Sequence, residues 1–115
     1  MFFRNQLEEH ILSAVLFANE RGIEICDADW GGLDDGCLCP LGCIIYMNGK
    51  KVFDNEEENA KLAATILGVS EDWINSFIAG FDLIDGRYAI LQEGWKIGQV
   101  VRKKVKPTKT WEEYL

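Results

Sequence analysis

The sequence predicts an all-α fold, a compact orthogonal bundle of four to five helices. Apolar residues recur at three- and four-residue steps in successive segments, the spacing of one helical face. Residues that start and stop helices stand at the ends of those segments, and the gaps between them are short. No stretch is long enough to divide the chain. Residues 1–106 are therefore expected to form a single helical domain, with 107–115 a loosely packed C-terminal tail.

The first helix is expected over residues 7–22. Leu7, Ile11, Ala14, Val15 and Ala18 make its stripe, with Leu12 and Leu16 widening it, and Gly22 is a natural stop. From 23 to 35 the pattern breaks into a Gly- and Asp-rich stretch, which reads as a turn-rich loop pinned by Ile25 and Trp30. Pro40 suits a first helical turn, where its missing N–H would have no partner, so the apolar segment to Met47 is predicted helical. A strand is the rival reading, because Cys43-Ile44-Ile45-Tyr46-Met47 is rich in β-branched and aromatic residues. Asp54 is the expected cap of the next helix, with Glu57 at the capping-box position; Ala60, Ala63, Ala64 and Leu67 form its light face and Gly68 ends it. Ser70 caps a fourth helix carrying the heavy stripe Trp73, Ile74, Phe77, Ile78 and Phe81. The last helix is expected to begin near Asp85 or Arg87 and run to Lys104 or Val105, with Gly94 and Gly98 one turn apart where a neighbouring helix can approach closely. The expected core is Leu7, Ile11, Val15, Leu41, Ile44, Leu67, Ile74, Phe77, Ile78, Phe81, Leu91 and Trp95.

The 115 residues carry a formal charge of −7, unevenly distributed. Residues 1–95 hold 17 acids and 6 bases, net −11, and residues 96–115 hold 6 bases and 2 acids, net +4. An acidic body argues against a surface built to follow a phosphate backbone. The basic end either folds back on that body or meets an acidic partner. No apolar run approaches the roughly 18 residues of a membrane helix, and residues 1–6 lack the order of a signal peptide. The expected location is cytoplasmic, with no membrane contact. Cys26, Cys37, Cys39 and Cys43 are then expected to be thiols.

Those four cysteines, with His10 as a possible fifth ligand, are weak candidates for a metal site. Cys37-x-Cys39 is too tight for the usual paired ligands, and Cys26 stands alone eleven residues earlier. Cys39 lies near a helix start, where a thiolate is favoured, but Asp34 and Asp35 oppose it and there is no C-x-x-C. The plainer reading makes Cys39 and Cys43 small buried residues that react slowly with thiol reagents, with no metal and no cofactor bound. Asp34, Asp35, Asp82 and Asp85 are the remaining acid/base candidates; turns and helix caps account for them, and no nucleophile, base and orienting group can be assembled around them.

Ala64, Gly68 and Ile74 have the spacing of a helix-turn-helix pair. The second helix of that pair opens Ser70-Glu71-Asp72 and has no Lys or Arg through Gly80, where a DNA reader would present donors.

From Cys37 to Arg102, somewhat over half of the chain, the landmarks run C-x-C-P-L-G-C, L-G-V-S, F-I-x-G-F-D, then G-W-x-x-G-x-x-V-R. This order resembles a family of small, uncharacterised helical proteins of bacteria. The resemblance implies a compact helical domain and brings no established activity to Cys39, Asp82 or Arg102.

With no chemical constellation in view, the expectation is a non-catalytic protein-interaction or structural module, possibly a homodimer. A nucleic-acid reader and a metal- or thiol-dependent protein are the alternatives. Thirteen aromatic residues are many for so short a chain. Trp30 and Trp111 are the candidate contact anchors, since amphipathic rings are favoured at interfaces. Arg102, Lys103, Lys104 and Lys106 supply a basic complement to an acidic partner or to a second copy.

Overall fold

The computed structural model describes residues 4–27 and 30–105, which form five α-helices and one small sheet. The helices are α1 (Arg4–Asn19), α2 (Pro40–Met47), α3 (Glu56–Leu67), α4 (Glu71–Phe81) and α5 (Gln92–Val105). The all-α expectation needs correction: β1 (Glu24–Ile25), β2 (Gly31–Gly32) and β3 (Cys37–Leu38) form a mixed sheet in the order β1-β3-β2. Each strand is two residues long, too short to show a two-residue period in sequence. The sheet exists because tertiary contacts bring the backbone of 24–25 alongside that of 37–38. No described helix is long and apolar enough to cross a membrane.

Helix α1 buries the expected stripe of Leu7, Ile11, Ala14, Val15 and Ala18, while Leu16 is exposed and does not widen it. The chain turns back at Gly22, whose φ of 79° lies in the left-handed region that favours glycine. Helix α2 is the central element, with Pro40 through Ile45 all buried. Its N-cap is Cys39, whose sulfur accepts a hydrogen bond from the Gly42 N–H at 3.3 Å.

The cap of α3 is Asn55 rather than Asp54; its side-chain oxygen accepts from the Glu57 and Glu58 N–H groups. Buried Asn59 fixes the preceding loop: its amide accepts from the Phe53 N–H at 2.7 Å and donates to the Phe53 carbonyl at 2.8 Å. Ser70 caps α4 as expected, accepting from the Trp73 N–H at 3.1 Å.

Helices α4 and α5 make the most extensive contact in the fold. Their backbones approach so closely that a Cβ added at Gly80, Gly94 or Gly98 would run into backbone carbonyl oxygens of the other helix. α5 starts later than expected, at Gln92, because Gly86–Tyr88 form a separate 3-10 turn. That shift moves two expected core residues outward. Leu91 is exposed at the helix start, and Trp95 is half-buried with its indole N–H donating to the Ile84 carbonyl. Ile78 is also half-buried, because it lines an open pocket beside α4.

Candidate functional site

The cysteines do not all remain thiols. Parallel pairing of β1 with β3 sets Glu24 opposite Cys37 and Ile25 opposite Leu38, and Cys26 and Cys37 are joined by a disulfide with Cα atoms 5.7 Å apart. Eleven residues of sequence separate them, a distance closed only by a parallel pairing that the sequence does not announce. Cys39 and Cys43 remain thiols and both are buried. Burial pushes the Cys43 thiol far above its ordinary ionisation range, and Cys39 beside it pushes further in the same direction. Among the described residues no three His, Cys, Asp or Glu side chains stand close enough together to hold a metal ion. The five residues weighed as ligands, Cys26, Cys37, Cys39, Cys43 and His10, are thus not gathered into one group.

The disulfide adjoins a buried ion pair. Asp27 is fully buried and is met by the Arg102 guanidinium, which also donates to the Phe81 carbonyl at 2.6 Å. Phe81 is the last residue of α4, so the cation satisfies a helix-end carbonyl and complements the negative end of the helix dipole. Arg102 therefore joins α5, the end of α4 and the segment after β1. Its side chain is 16% exposed, which leaves little of it for a partner. Lys104 is engaged within the chain with Glu8 at 2.9 Å, and Lys103 is exposed. Lys106 and Trp111 lie outside the described residues. Trp30 is buried in the chain's own core at 6% exposure.

A pocket of about 450 Å³ opens beside Trp30. One wall is a single face of α4, Glu71, Asn75, Ile78 and Asp82, residues that recur at steps of four, three and four. The start of α3 supplies the opposite wall with Glu56, Glu57 and Ala60. Edges of Trp30, Phe77 and Phe81 and the Cys39 sulfur line the rest. Phe77 and Phe81 stack with ring centroids 6.2 Å apart. Trp30 is held there by backbone: its carbonyl accepts from the Cys39 N–H at 3.1 Å, and Gly42 lets the start of α2 lie against that same carbonyl.

Four carboxylates therefore rim the pocket, and no lysine or arginine is among the residues that line it. Three of the four, Glu56, Glu57 and Glu71, sit in first helical turns, where carboxylates complement the helix dipole. Local helix stability puts them there. Their negative field around an apolar opening is a consequence of how α3 meets α4. A second depression of about 480 Å³ near Gly31, Gly32 and Tyr46 carries Lys50 and Lys51 together with Asp34 and Asp54, and selects neither sign of charge.

The remaining acid/base candidates are separated by this geometry. Asp85 accepts from the Arg87 N–H and pairs with its guanidinium at 2.7 Å, which holds the carboxyl below its ordinary range. It caps the 3-10 turn, while Asp82 stands on the pocket rim. The helix-turn-helix reading meets a similar obstacle. Helix α4 is packed along α5, Ser76 is buried and accepts from the Leu91 N–H, and the helix offers Glu71, Asp72 and Asn75 to solvent.

The pocket is not legible in the sequence. Its one available signal was the Glu71, Asn75, Ile78, Asp82 spacing, a helical face less apolar than the heavy stripe and interrupted by Ile78. No family model, no curated protein and no solved structure matches the chain. The resemblance over 37–102 rests on its landmarks alone.

Proposed function

We propose that the chain is a non-catalytic protein-interaction module, and that its pocket between α3 and α4 receives a basic segment of a partner protein. The observation that carries this reading is the rim of Glu56, Glu57, Glu71 and Asp82 around an aromatic lining, with no cation among the lining residues. A lysine or arginine side chain suits both parts, its aliphatic stem lying on Ile78 and the ring edges while its charge meets the carboxylates. The acidic body adds steering toward such a segment and repels nucleic acid.

Trp30 takes part as a buried wall of the pocket rather than as a protruding anchor. Exposed Leu83, Ile84, Ile90 and Leu91, all in the connection between α4 and α5, favour a second reading. In it the partner is a second copy, whose Lys103, Lys106 and Lys109 supply the cations and whose apolar connection extends the contact.

Fluorescence anisotropy with a labelled Arg/Leu peptide tests the reading. Binding is expected to weaken with salt and to fall about tenfold in Glu56→Gln/Glu71→Gln, the equivalent of about 1.4 kcal/mol. Equal affinity for an Asp/Leu peptide, or unchanged binding by the double variant, overturns it. Sedimentation at two salt concentrations separates the second reading, which predicts a dimer that dissociates as salt rises.

A further inference from the structure

We propose that residues 106–115, which follow α5 in the sequence, occupy the pocket between α3 and α4 in the free chain, so that a partner's basic segment must displace them. The proposal rests on the reading of that pocket as a site for a basic segment and adds its regulation.

The place where the chain leaves the fold carries it. Along α5, Gly94 lies against the Trp73 carbonyl, Gly98 lies against the Phe77 carbonyl, and Arg102 donates to the Phe81 carbonyl. Each step of four along α5 meets a step of four along α4, so the two helices run in the same direction and end on the same side of the molecule. Val105, the last residue of α5, stands three residues beyond Arg102, about 4.5 Å further along the axis. Asp82 caps α4 at that end and also stands on the pocket rim. The pocket face of α4 lies opposite Ser76 and Gly80, which face α5. A chain leaving Val105 therefore reaches the pocket by passing round the end of a helix about 10 Å across. The six residues from Lys106 to Trp111 extend to about 20 Å, enough for that path.

The segment on this path has the complementary charge. From Lys103 to Trp111 the chain carries four lysines and no acid. Lys104 is engaged with Glu8, and Lys106 and Lys109 are the lysines that come within reach of the rim. Glu57 is shared with Lys61 at 3.7 Å, so Glu56, Glu71 and Asp82 are the rim carboxylates best placed to receive them. Trp111, two residues after Lys109, supplies a large ring for the apolar lining of Ala60 and Ile78. The volume of about 450 Å³ falls within the range of about 300–1,000 Å³ of pockets that enclose a bound group. Glu112 and Glu113 follow the ring and are repelled by the rim, which keeps the contact weak.

Tethering makes a weak contact sufficient. A short connection presents the segment at an effective concentration on the order of 1–10 mM. A segment that binds at about 1 mM when free then fills the pocket for up to about nine-tenths of the time, and a partner's apparent affinity falls by up to about tenfold. The tail sets a threshold that a stronger basic segment overcomes.

Methyl NMR of the full chain, labelled at Ile and Ala and without added ligand, is the test. Nuclear Overhauser contacts are expected between the Trp111 ring and the methyl groups of Ile78 and Ala60, with the same relative intensity at low and high protein concentration. The Arg/Leu peptide is then expected to bind Lys109→Ala/Trp111→Ala about tenfold more tightly than it binds the unsubstituted chain. Absence of both contacts overturns the proposal, and so do contacts that appear only at high concentration, which belong to the tail of a second copy. Peptide binding of equal strength in the two proteins also overturns it, while leaving the pocket a site for basic segments. Contacts present with no peptide binding to either protein uphold the tail as occupant and overturn the partner.

Discussion

At Gly98 and Cys43, single atoms decide the outcome. An added Cβ at Gly98 would enter the space of the Phe77 carbonyl oxygen, a backbone atom that cannot step aside without moving α4. Alanine is the better helix former by about 1 kcal/mol, yet overpacking costs about 1–3 kcal/mol, and the clash with backbone places this site at the upper end. Gly98→Ala is expected to lower stability by about 2 kcal/mol in urea denaturation. Cys43 makes a prediction in pH. Its folded-state ionisation is raised above the ordinary value of 9.0, so the unfolded chain releases this proton first. The contribution to stability is whole below that value and falls above it, by up to about 1.4 kcal/mol per pH unit. Cys43→Ala is expected to flatten the decline of stability between pH 9 and pH 10.5; an identical slope in both proteins contradicts the assignment.

The elements themselves divide into those visible in the pattern and those made by contact. Helix α2 was legible from Pro40 and the apolar run, and α4 from Ser70 and five large apolar residues, because both signals are local. The glycine pair at 94 and 98 announced a close helix neighbour without naming α4 as that neighbour. What was not legible depended on residues far apart in sequence: three two-residue strands, the disulfide, and the ion pair between Asp27 and Arg102. A run of basic residues reads as a surface patch in sequence, and nothing local distinguishes Arg102 as the one turned inward. Removing it leaves a buried carboxylate and an open helix-end carbonyl. Arg102→Met is expected to cost about 3 kcal/mol or more, and Asp27→Leu/Arg102→Met to recover much of that loss, as measured by a double-mutant cycle in chemical denaturation.

For the molecule as a whole, the sheet and its disulfide are an addition to a core made chiefly by the helices. Closing a loop of this length stabilises by about 3 kcal/mol in the chain-entropy account, so Cys26→Ser/Cys37→Ser is expected to melt lower while keeping its far-ultraviolet helical signal. Loss of that signal on removing the bridge would show that the sheet organises the helices rather than joining them. The same assembly sets the pocket. The start of α3 and one face of α4 are held by Asn55, Asn59 and the α4–α5 glycines, while the residue before β2 and the cap of α2 place Trp30 and Cys39 between them. None of those residues signals binding alone. The carboxylates read as helix-start residues and the rings as core, and both readings are correct for the element to which each belongs. The site arises where the elements meet.

That account is tested most directly by two-dimensional amide NMR of the labelled protein during titration with the Arg/Leu peptide. The predicted result is a saturable, salt-sensitive shift at the Trp30 indole N–H and at the backbone amides of Glu57, Asn75, Ile78 and Asp82, with the Asp/Leu peptide producing none. Shifts confined to residues 83–91, or shifts of equal size with the acidic peptide, would contradict it.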